Sequence, residues 1–472
     1  MGYEAMRAIR MAGGLLMAAG VMGLSACGGS SSSVRPTADV RVIHAATDAP
    51  DVNVRVNGEG VEGLQGVPFG TGSPFLRLRT DRYDVDVDAL AAAGTIDSVI
   101  NASLTLERDT QTTVIAAGLL DDDSFGPQVI VNSRSLVPSD STRVQVVHAA
   151  PGAPEVSVFV TAPDGMLDMP LTTFSFYDNT DQVTVPAGEY RIRITAGSSN
   201  DDSDVVFDSG PITLPGGADL LVLALDNPGP GAPVDLLVST GTGDDFVLRD
   251  VNNTASLRAV HAASGVSTAE IFAGLAPLAD NADPVVDEIE FTQSGTLDGL
   301  EPGEYEVRIG VAGAGAADAP ITATAALEGG IAYTALAAGD LPADMGAPDL
   351  FAILAQDDRR QVATDARVRA IHAASLAGTV DVFVTPSADA VTVQAIEMGE
   401  LAPTLPGFEV GDVTPYLALP PGTYDVRVRA GGTVAIDVSD VDLGAGSITT
   451  LVARNPDAEE GEDEFGFIVL PN

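Results

Sequence analysis

The sequence predicts an all-β protein made of four tandem immunoglobulin-like β-sandwich domains, each antiparallel and of about seven strands. Short runs of alternating apolar and polar residues recur along the chain. Glycine (50 residues) and proline (30 residues) are abundant and mark turns. One phrase ending in His-Ala-Ala occurs four times. Short strands joined by turns, in units repeated at a fixed pattern, are typical of tandem sandwiches.

The repeated phrase supplies the first strand of each predicted domain. The residues two and four positions before each histidine are apolar, and the residue three positions before is arginine or glutamine. Because strand side chains alternate between faces, each histidine continues the apolar face at the end of its strand. The phrase contains all the histidines of the chain: His44, His148, His261 and His372.

We interpret these histidines as structural residues that cap the edge of the core and bond to loop backbone. A catalytic role is the alternative, but each histidine lies on an apolar strand face and the chain has no Gly-x-Ser-x-Gly motif. A zinc site would need further ligands around each histidine, and each unit has only one. The sequence therefore predicts no catalytic residue and no metal site.

The second and third strands follow at recognisable positions. A run of alternating apolar residues begins eight residues after each histidine, and a later strand begins with a tyrosine that follows a turn. A tyrosine at such a corner usually packs in the core and bonds nearby backbone. These tyrosines are Tyr83, Tyr190, Tyr305 and Tyr424.

Two further apolar runs close each unit, whereas the segments before the tyrosine strands vary in length. Residues 57–75, 161–181, 274–296 and 385–415 are predicted to be irregular. The domain organisation that follows has six parts. They are a signal peptide (1–26), a flexible tether (27–38) and sandwich repeats at 39–137, 138–250, 251–361 and 362–472.

The N-terminus is typical of a secreted bacterial lipoprotein. Arg7 and Arg10 precede an apolar stretch that is too short for a comfortable membrane span. The stretch ends in Leu24-Ser25-Ala26-Cys27, which resembles a lipobox, and Cys27 is the only cysteine. We expect Cys27 to carry the lipid and, since Gly28 rather than aspartate follows it, delivery to the outer membrane. The alternative is ordinary secretory cleavage that leaves a free thiol.

The charge of the chain excludes several partners. The net charge is −44 and all basic residues are arginine, so the surface repels nucleic acid and anionic lipid headgroups. Asp84, Asp86 and Asp88 share one predicted strand face, which we expect to be exposed to solvent. This run departs from a calcium-binding loop, because Ala89 and Thr95 stand where glycine and glutamate are needed. Acidic loops at 121–123, 201–202 and 459–460 could bind divalent cations weakly, and no other cofactor is predicted.

The repeated phrase, the turn Asp48-Ala49-Pro50, the valine strand and the Pro-Gly-x-Tyr strand together resemble one bacterial family. It is the domain-of-unknown-function family numbered 4397, and the resemblance covers nearly all of residues 39–472 in four copies. The third and fourth units lack the Ala-Pro turn and resemble the family less. The resemblance implies an extracytoplasmic β-sandwich and brings no established activity.

These features predict a lipid-anchored cell-envelope protein, periplasmic or surface-exposed, with a non-enzymatic binding, adhesion or spacer role. The expected partners are the membrane, through the N-terminal lipid, and a protein or a polysaccharide. The alternative is an envelope-associated, carbohydrate-active hydrolase with paired carboxylates. Such a hydrolase needs two carboxyl groups about 5–10 Å apart in a cleft.

Overall fold

The computed structural model describes residues 35–122, 124–341, 350–457 and 464–471. Pro36–Asn472 form one compact unit. Its strands form eight sheets, which face each other in pairs around shared apolar cores. This arrangement confirms the predicted all-β sandwich fold. We refer to the pairs as sandwiches 1 to 4.

The strands are numbered in chain order. Sandwich 1 contains β1 (Thr37–His44), β2 (Val52–Val56), β3 (Glu59–Gly60), β4 (Thr71–Gly72), β5 (Leu76–Arg79), β6 (Arg82–Ala91), β7 (Gly94–Thr105), β8 (Thr110–Ala117) and β9 (Gly126–Ser133). Sandwich 2 contains β10 (Ser141–His148), β11 (Val156–Thr161), β12 (Thr172–Phe174), β13 (Val183–Pro186), β14 (Gly188–Ala196), β15 (Val205–Leu214), β16 (Asp219–Asp226), β17 (Val234–Ser239) and β18 (Phe246–Leu248).

The other two sandwiches have eight strands each. Sandwich 3 contains β19 (Ala255–Ser264), β20 (Thr268–Leu275), β21 (Val286–Glu290), β22 (Ser294–Leu300), β23 (Gly303–Val311), β24 (Ile321–Leu327), β25 (Ala332–Asp340) and β26 (Phe351–Asp357). Sandwich 4 contains β27 (Ala366–His372), β28 (Val380–Pro386), β29 (Leu405–Phe408), β30 (Leu417–Leu419), β31 (Gly422–Ala430), β32 (Thr433–Leu443), β33 (Ile448–Arg454) and β34 (Gly466–Pro471). Short 3₁₀ turns lie at Asp202–Asp204, Ala316–Asp318, Ser375–Ala377 and Ser387–Asp389, and one helix, α1, spans Val393–Glu397.

Each sandwich repeats one topology. The first strand of each repeat lies in one sheet, between an antiparallel edge strand and the second strand after the tyrosine strand. The second strand of the repeat lies in the facing sheet, beside the tyrosine strand. The first strand runs parallel to this partner, which is β8, β16, β25 or β33, unlike the antiparallel pairing expected. In sandwich 1, for example, Val42 stands beside Val114 in this parallel pair.

The segments predicted to be irregular contain short edge strands. In sandwich 4 the segment 385–415 also contains α1, which is anchored to the sandwich: Ile396 is buried and its carbonyl accepts a hydrogen bond from Arg429 Nη1 at 2.7 Å. Thr392 caps the helix by accepting from the backbone N–H of Ala395. The prediction that this segment is irregular was therefore wrong. The end of the predicted tether is also ordered, because Thr37 and Ala38 begin β1.

The sandwiches pack against one another through the outer faces of the first-strand sheets. The residue just before each histidine, on the opposite face from the sandwich core, lies in an apolar interface. Ile43 and Val147 meet in an interface between sandwiches 1 and 2. Val260 and Ile371 meet in the equivalent interface between sandwiches 3 and 4. Four residues, Ile43, Val147, Val260 and Ile371, are therefore buried at 0–1 % exposure although they point away from their own cores.

The polar residue three positions before each histidine reaches into the same interfaces. Arg41 of sandwich 1 donates to Ser239 of sandwich 2, and Gln145 of sandwich 2 accepts from Asn132 of sandwich 1. In the other pair, Arg258 donates to the Pro471 carbonyl and Arg369 bonds Asp357. In both pairs, each first strand thus contacts the last part of the partner sandwich, which gives the two pairs the same approximate two-fold arrangement.

Candidate functional site

The largest cavity we describe is an apolar one of about 680 Å³ between the two sheets of sandwich 2. Its walls are inward-facing side chains of both sheets, mostly valine, leucine and isoleucine. The corresponding cavities in sandwiches 1 and 4 measure about 80 and 30 Å³. Sandwich 2 therefore encloses a volume within the range of about 300–1,000 Å³ that is usual for small-molecule sites.

The cavity is closed at one end and open at the other. His148, Val156 and Ala224 are buried at the closed end. At the opposite end the lining residues Thr213, Thr242 and Phe246 are exposed to solvent. Two more lining residues, Leu171 and Val183, are exposed at 41 % and 36 % along the edge formed by β12 and β13. A ligand can therefore enter from solvent and lie along the strands.

An empty cavity of this kind would be costly. Natural cores contain few voids larger than a water molecule, and purely apolar cavities stay dry. An apolar guest would remove the cost, so the geometry favours a binding site over an empty core.

The four histidines occupy equivalent positions at the ends of the first strands. Each ring is buried, at 0–1 % exposure. Each Nε2 donates to a backbone carbonyl of the following loop: Pro50 (3.0 Å), Pro154 (3.2 Å), Val266 (2.8 Å) and Gly378 (2.8 Å). Because a carbonyl only accepts, the proton must lie on Nε2. In the first three corners Nδ1 also accepts from the backbone N–H two residues later, at 3.4 Å.

An aromatic ring covers each histidine. The partners are Phe69, Phe176, Phe291 and Phe408, with ring centroids 5.7–6.4 Å apart. Burial lowers the pKa of every one of the four imidazoles, and that of His44 to about 4. Neutral rings that are held this way are poorly placed to exchange protons with a substrate in solution. Of the four, only His148 also lines the large cavity.

The tyrosines form a second set of repeated corners. Each hydroxyl group bonds the backbone carbonyl four residues earlier. The partners are Arg79 for Tyr83 (3.1 Å), Pro186 for Tyr190 (2.9 Å), Glu301 for Tyr305 and Pro420 for Tyr424 (2.7 Å). The bond ties the turn before the strand to the strand itself, as in the tyrosine corner of Greek-key sandwiches.

A second concave site lies where sandwiches 1, 2 and 3 meet. This polar cleft of about 470 Å³ is lined by the acidic residues Asp226, Asp235, Asp357 and Asp358 and by arginines. Burial raises the pKa of Asp226 to about 6, against a hydrogen bond from the backbone N–H of Gly152 that lowers it. Burial also raises the pKa of Asp235. The other carboxylates are paired, Asp357 with Arg369 and Asp358 with Arg367.

The acidic run on β6 is less exposed than predicted. Asp84 is exposed, but Asp88 is buried because it accepts two hydrogen bonds from Arg55, at 2.6 and 2.7 Å. The Arg55 guanidinium lowers the pKa of Asp88. Among the described residues, no group of three or more His, Cys, Asp or Glu side chains is arranged to hold a metal ion. Asp123 and the acidic loop at 459–460 lie outside the described residues.

The signal peptide and Cys27 also lie outside the described residues, so the predicted lipid anchor stays a prediction. No helix in the part of the chain that the structure describes is long and apolar enough to span a membrane. The sequence did not predict either concave site. The cavity is lined by the same residue types that fill the other cores, so strand patterning gives no signal for it. The cleft joins residues from three repeats that are distant in sequence.

The family comparison agrees with the sequence motifs. The family described as Domain of unknown function (DUF4397) matches residues 38–159, 255–383 and 384–472, which make up most of the chain. The chain belongs to this family. The three DUF4397 segments begin at or inside β1, β19 and β28, and they leave residues 160–254 unmatched. That stretch holds most of sandwich 2 and most of the residues that line its cavity, so the cavity lies largely where the chain departs from the family pattern.

The remaining comparisons add little to the DUF4397 assignment. No curated protein matches the chain. A solved structure, the Bacillus anthracis TIE protein, aligns with 90 % of this chain and 69 % of that chain. The sequence identity is 11 % and the TM-score is 0.16.

Proposed function

We propose that the chain is a lipid-anchored protein of the outer membrane with a non-enzymatic binding role, and that sandwich 2 is its binding module for an apolar small molecule. The observation that carries this proposal is the cavity of about 680 Å³. Its walls are apolar and its open end faces solvent. The role of the anchor is to keep the binding module at the membrane, where apolar molecules are concentrated.

The test is to fill the cavity. Val222 lines it and is 4 % exposed, so Val222→Phe places an aromatic ring in the space. We expect the wild-type protein to bind an apolar fluorescent dye at one site and to release a bound apolar molecule in native mass spectrometry. The variant should fold and lose at least about tenfold in dye affinity, since the ring occupies the dye's volume.

Val114 offers a matched control. Val114 of sandwich 1 lies beside Val42, and Val222 of sandwich 2 lies beside Val146. Val42 and Val146 occupy the same position in their first strands, two residues before the histidine. Val114→Phe enters a cavity of only about 80 Å³. We expect this variant to lose about 1–3 kcal/mol of stability through overpacking, with dye affinity unchanged. Equal dye binding by wild type and Val222→Phe would contradict the proposal.

We further propose that the family unit occurs four times. Each sandwich has a buried histidine with the same carbonyl bond and a tyrosine with the same corner, including sandwich 2, most of which the family does not match. Such an array of four sandwiches could also bind other envelope proteins or polysaccharides. The test compares the partners that beads carrying the wild-type protein and beads carrying the Val222→Phe variant capture from intact envelopes. The comparison shows whether the partners need the cavity.

The second candidate function is a carbohydrate-active envelope hydrolase. It is favoured by one observation, the raised pKa of Asp226 in the polar cleft, because a general acid needs a carboxyl group that is protonated near neutral pH. Release of reducing ends from envelope polysaccharide by the wild type, abolished in Asp226→Asn, would support it. Absence of release by the folded wild-type protein removes this candidate.

A further inference from the structure

We propose that the ligand of the sandwich 2 cavity is an elongated, uncharged amphiphile, with a long apolar body and a hydroxyl, ester or ketone group at one end. This inference rests on the proposed binding function and adds the chemistry of the ligand. Three features of the cavity carry it: its length, the hydroxyl groups at its open end and the lack of a charged side chain facing it among its described lining residues.

The lining residues define an elongated space. On β16 they run from Asp219 at the open end to Ala224 at the closed end. Five steps along a strand span about 16 Å, whereas the two sheets of a sandwich are only about 10 Å apart between their backbones. The ligand body therefore lies along the strands. His148 at the closed end already bonds Pro154, so it needs no further acceptor from the ligand.

The open end presents neutral hydrogen-bonding groups. Thr213, Thr240 and Thr242 line it, and the hydroxyl groups of Thr240 and Thr242 lie 2.8 Å apart. The Thr242 hydroxyl donates to Asp244 at 3.3 Å and therefore accepts from Thr240, so these two oxygens are left to accept from an alcohol, whereas the Thr213 hydroxyl can also donate to an ester or a ketone. Exposed Phe246 supplies an apolar surface beside these hydroxyls. The polar end of an amphiphile would thus sit at the rim while its body fills the interior.

The lack of charged side chains facing the cavity argues against an ionised headgroup. Among the described residues that line the cavity, none is a lysine or an arginine, and the carboxylate among them is that of Asp219. The Asp219 side chain points with Leu221 and Leu223 into the interface with sandwich 1, where the Nε and Nη2 of Arg143 both donate to its carboxylate. Among these lining residues no charged side chain therefore faces the cavity, so an ionised headgroup drawn into it would have no partner. Burying an unpaired charge is costly.

The experiment compares different headgroups carried by the same hydrocarbon chain. Displacement of the bound fluorescent dye is measured at about pH 8 with four compounds of equal chain length. They are a long-chain primary alcohol, the methyl ester of the corresponding carboxylic acid, the carboxylate itself and the trimethylammonium compound. We expect the alcohol and the ester to bind at least about tenfold more tightly than either ion, because only the ions lose a hydration shell without gaining a partner. Native mass spectrometry checks that one molecule binds.

A variant of the rim tests the charge argument directly. Thr242→Lys should add a cation at an exposed position that tolerates it. In this variant the ratio of alcohol affinity to carboxylate affinity should fall about tenfold. Asp219→Asn removes a charge on the opposite face of the sheet and is the control, so it should leave this ratio unchanged.

The outcomes separate this inference from the proposed function. Equal binding of the carboxylate or the trimethylammonium compound by the wild type would overturn the uncharged headgroup, while dye binding that Val222→Phe abolishes would still support the binding function. An unchanged affinity ratio in Thr242→Lys would also overturn the inference. Failure of every probe and of the dye to bind would overturn both proposals.

Discussion

At the scale of single residues, each histidine closes the end of a strand by satisfying backbone groups that the sheet cannot reach. The Nε2–H of His261 donates to the Val266 carbonyl at 2.8 Å, and its Nδ1 accepts from the N–H of Ala263. A neutral imidazole suits this corner because it carries one donor and one acceptor on opposite sides of a flat apolar ring. The ring then packs against Phe291.

We expect His261→Ala to destabilise sandwich 3 by about 1–3 kcal/mol, because the Val266 carbonyl and the Ala263 N–H lose their partners in a buried setting. The measurement is the urea midpoint of unfolding. Ser294→Ala, an exposed position on the neighbouring β22, is the control and should leave the midpoint unchanged. An unaltered midpoint in His261→Ala would show that the corner is not needed for stability.

A pH dependence follows from the lowered pKa of His44. Its pKa is about 4 in the folded protein and 6.5 ordinarily. As the pH falls below about 6.5 the unfolded chain binds the proton first, so stability declines from there until the folded ring also protonates near pH 4. His44→Gln keeps a donor for Pro50 but does not titrate. Between about pH 7.5 and about pH 5, we expect wild type to lose about 2 kcal/mol more stability than this variant.

Urea unfolding of both proteins at the two pH values measures this difference. Comparing two differences also cancels the opposing effect of Asp226, whose raised pKa makes the folded state bind protons over part of the same range. Equal losses in the two proteins would show that His44 is not the group that titrates.

At the scale of elements, the sequence predicts which residues form strands better than it predicts how the strands are arranged. Alternation identifies the face of a residue but not the neighbouring strand, so the parallel pairing of Val42 with Val114 was not foreseen. A signal for the sandwich interfaces was present, however. The residue before each histidine is always isoleucine or valine, and it lies on the strand face opposite the histidine.

The interface between sandwiches 1 and 2 can be tested with a buried charge. Leu223 is 0 % exposed and points into it. We expect Leu223→Asp to destabilise the protein by more than about 3 kcal/mol, because an unpaired carboxylate would be buried between two apolar sheets. Leu354→Asp, on β26 at 43 % exposure, is the matched control. Thermal unfolding followed by circular dichroism distinguishes the two, and similar curves would mean that the interface contributes little.

The cavity could not be predicted for a related reason. Val158, Val222 and Val238 line it, and valine also fills the core of sandwich 1. Whether such residues meet or leave a gap depends on the separation of the sheets and on the size of every facing side chain, which no single strand specifies. The burial of Asp88 could not be predicted either, because it depends on Arg55 on the neighbouring strand of the sheet.

At the scale of the whole molecule, the four repeats are joined as two pairs with equivalent interfaces, and the pairs also touch each other. Arg360, in the segment after sandwich 3, donates to the carbonyls of Thr47 and Ala49 of sandwich 1. Asp365 accepts from the N–H of Ala92 at 2.8 Å. Contacts between residues so distant in sequence hold the sandwiches close together, so the array differs from a string of independent domains on flexible linkers.

Under the proposed lipid anchoring, the attachment of this assembly to the membrane depends on Cys27. We expect Cys27→Ala to move the protein from the membrane fraction to the soluble fraction, with Ser30→Ala as a control that stays with the membrane. The reason is electrostatic as well as covalent: with a net charge of −44 the polypeptide is repelled by anionic headgroups, so little attraction is left once the lipid is lost. Washing membranes at high ionic strength should not release the wild type, since salt weakens charge interactions but not the insertion of acyl chains. Retention of Cys27→Ala after such a wash would contradict lipid anchoring at this residue.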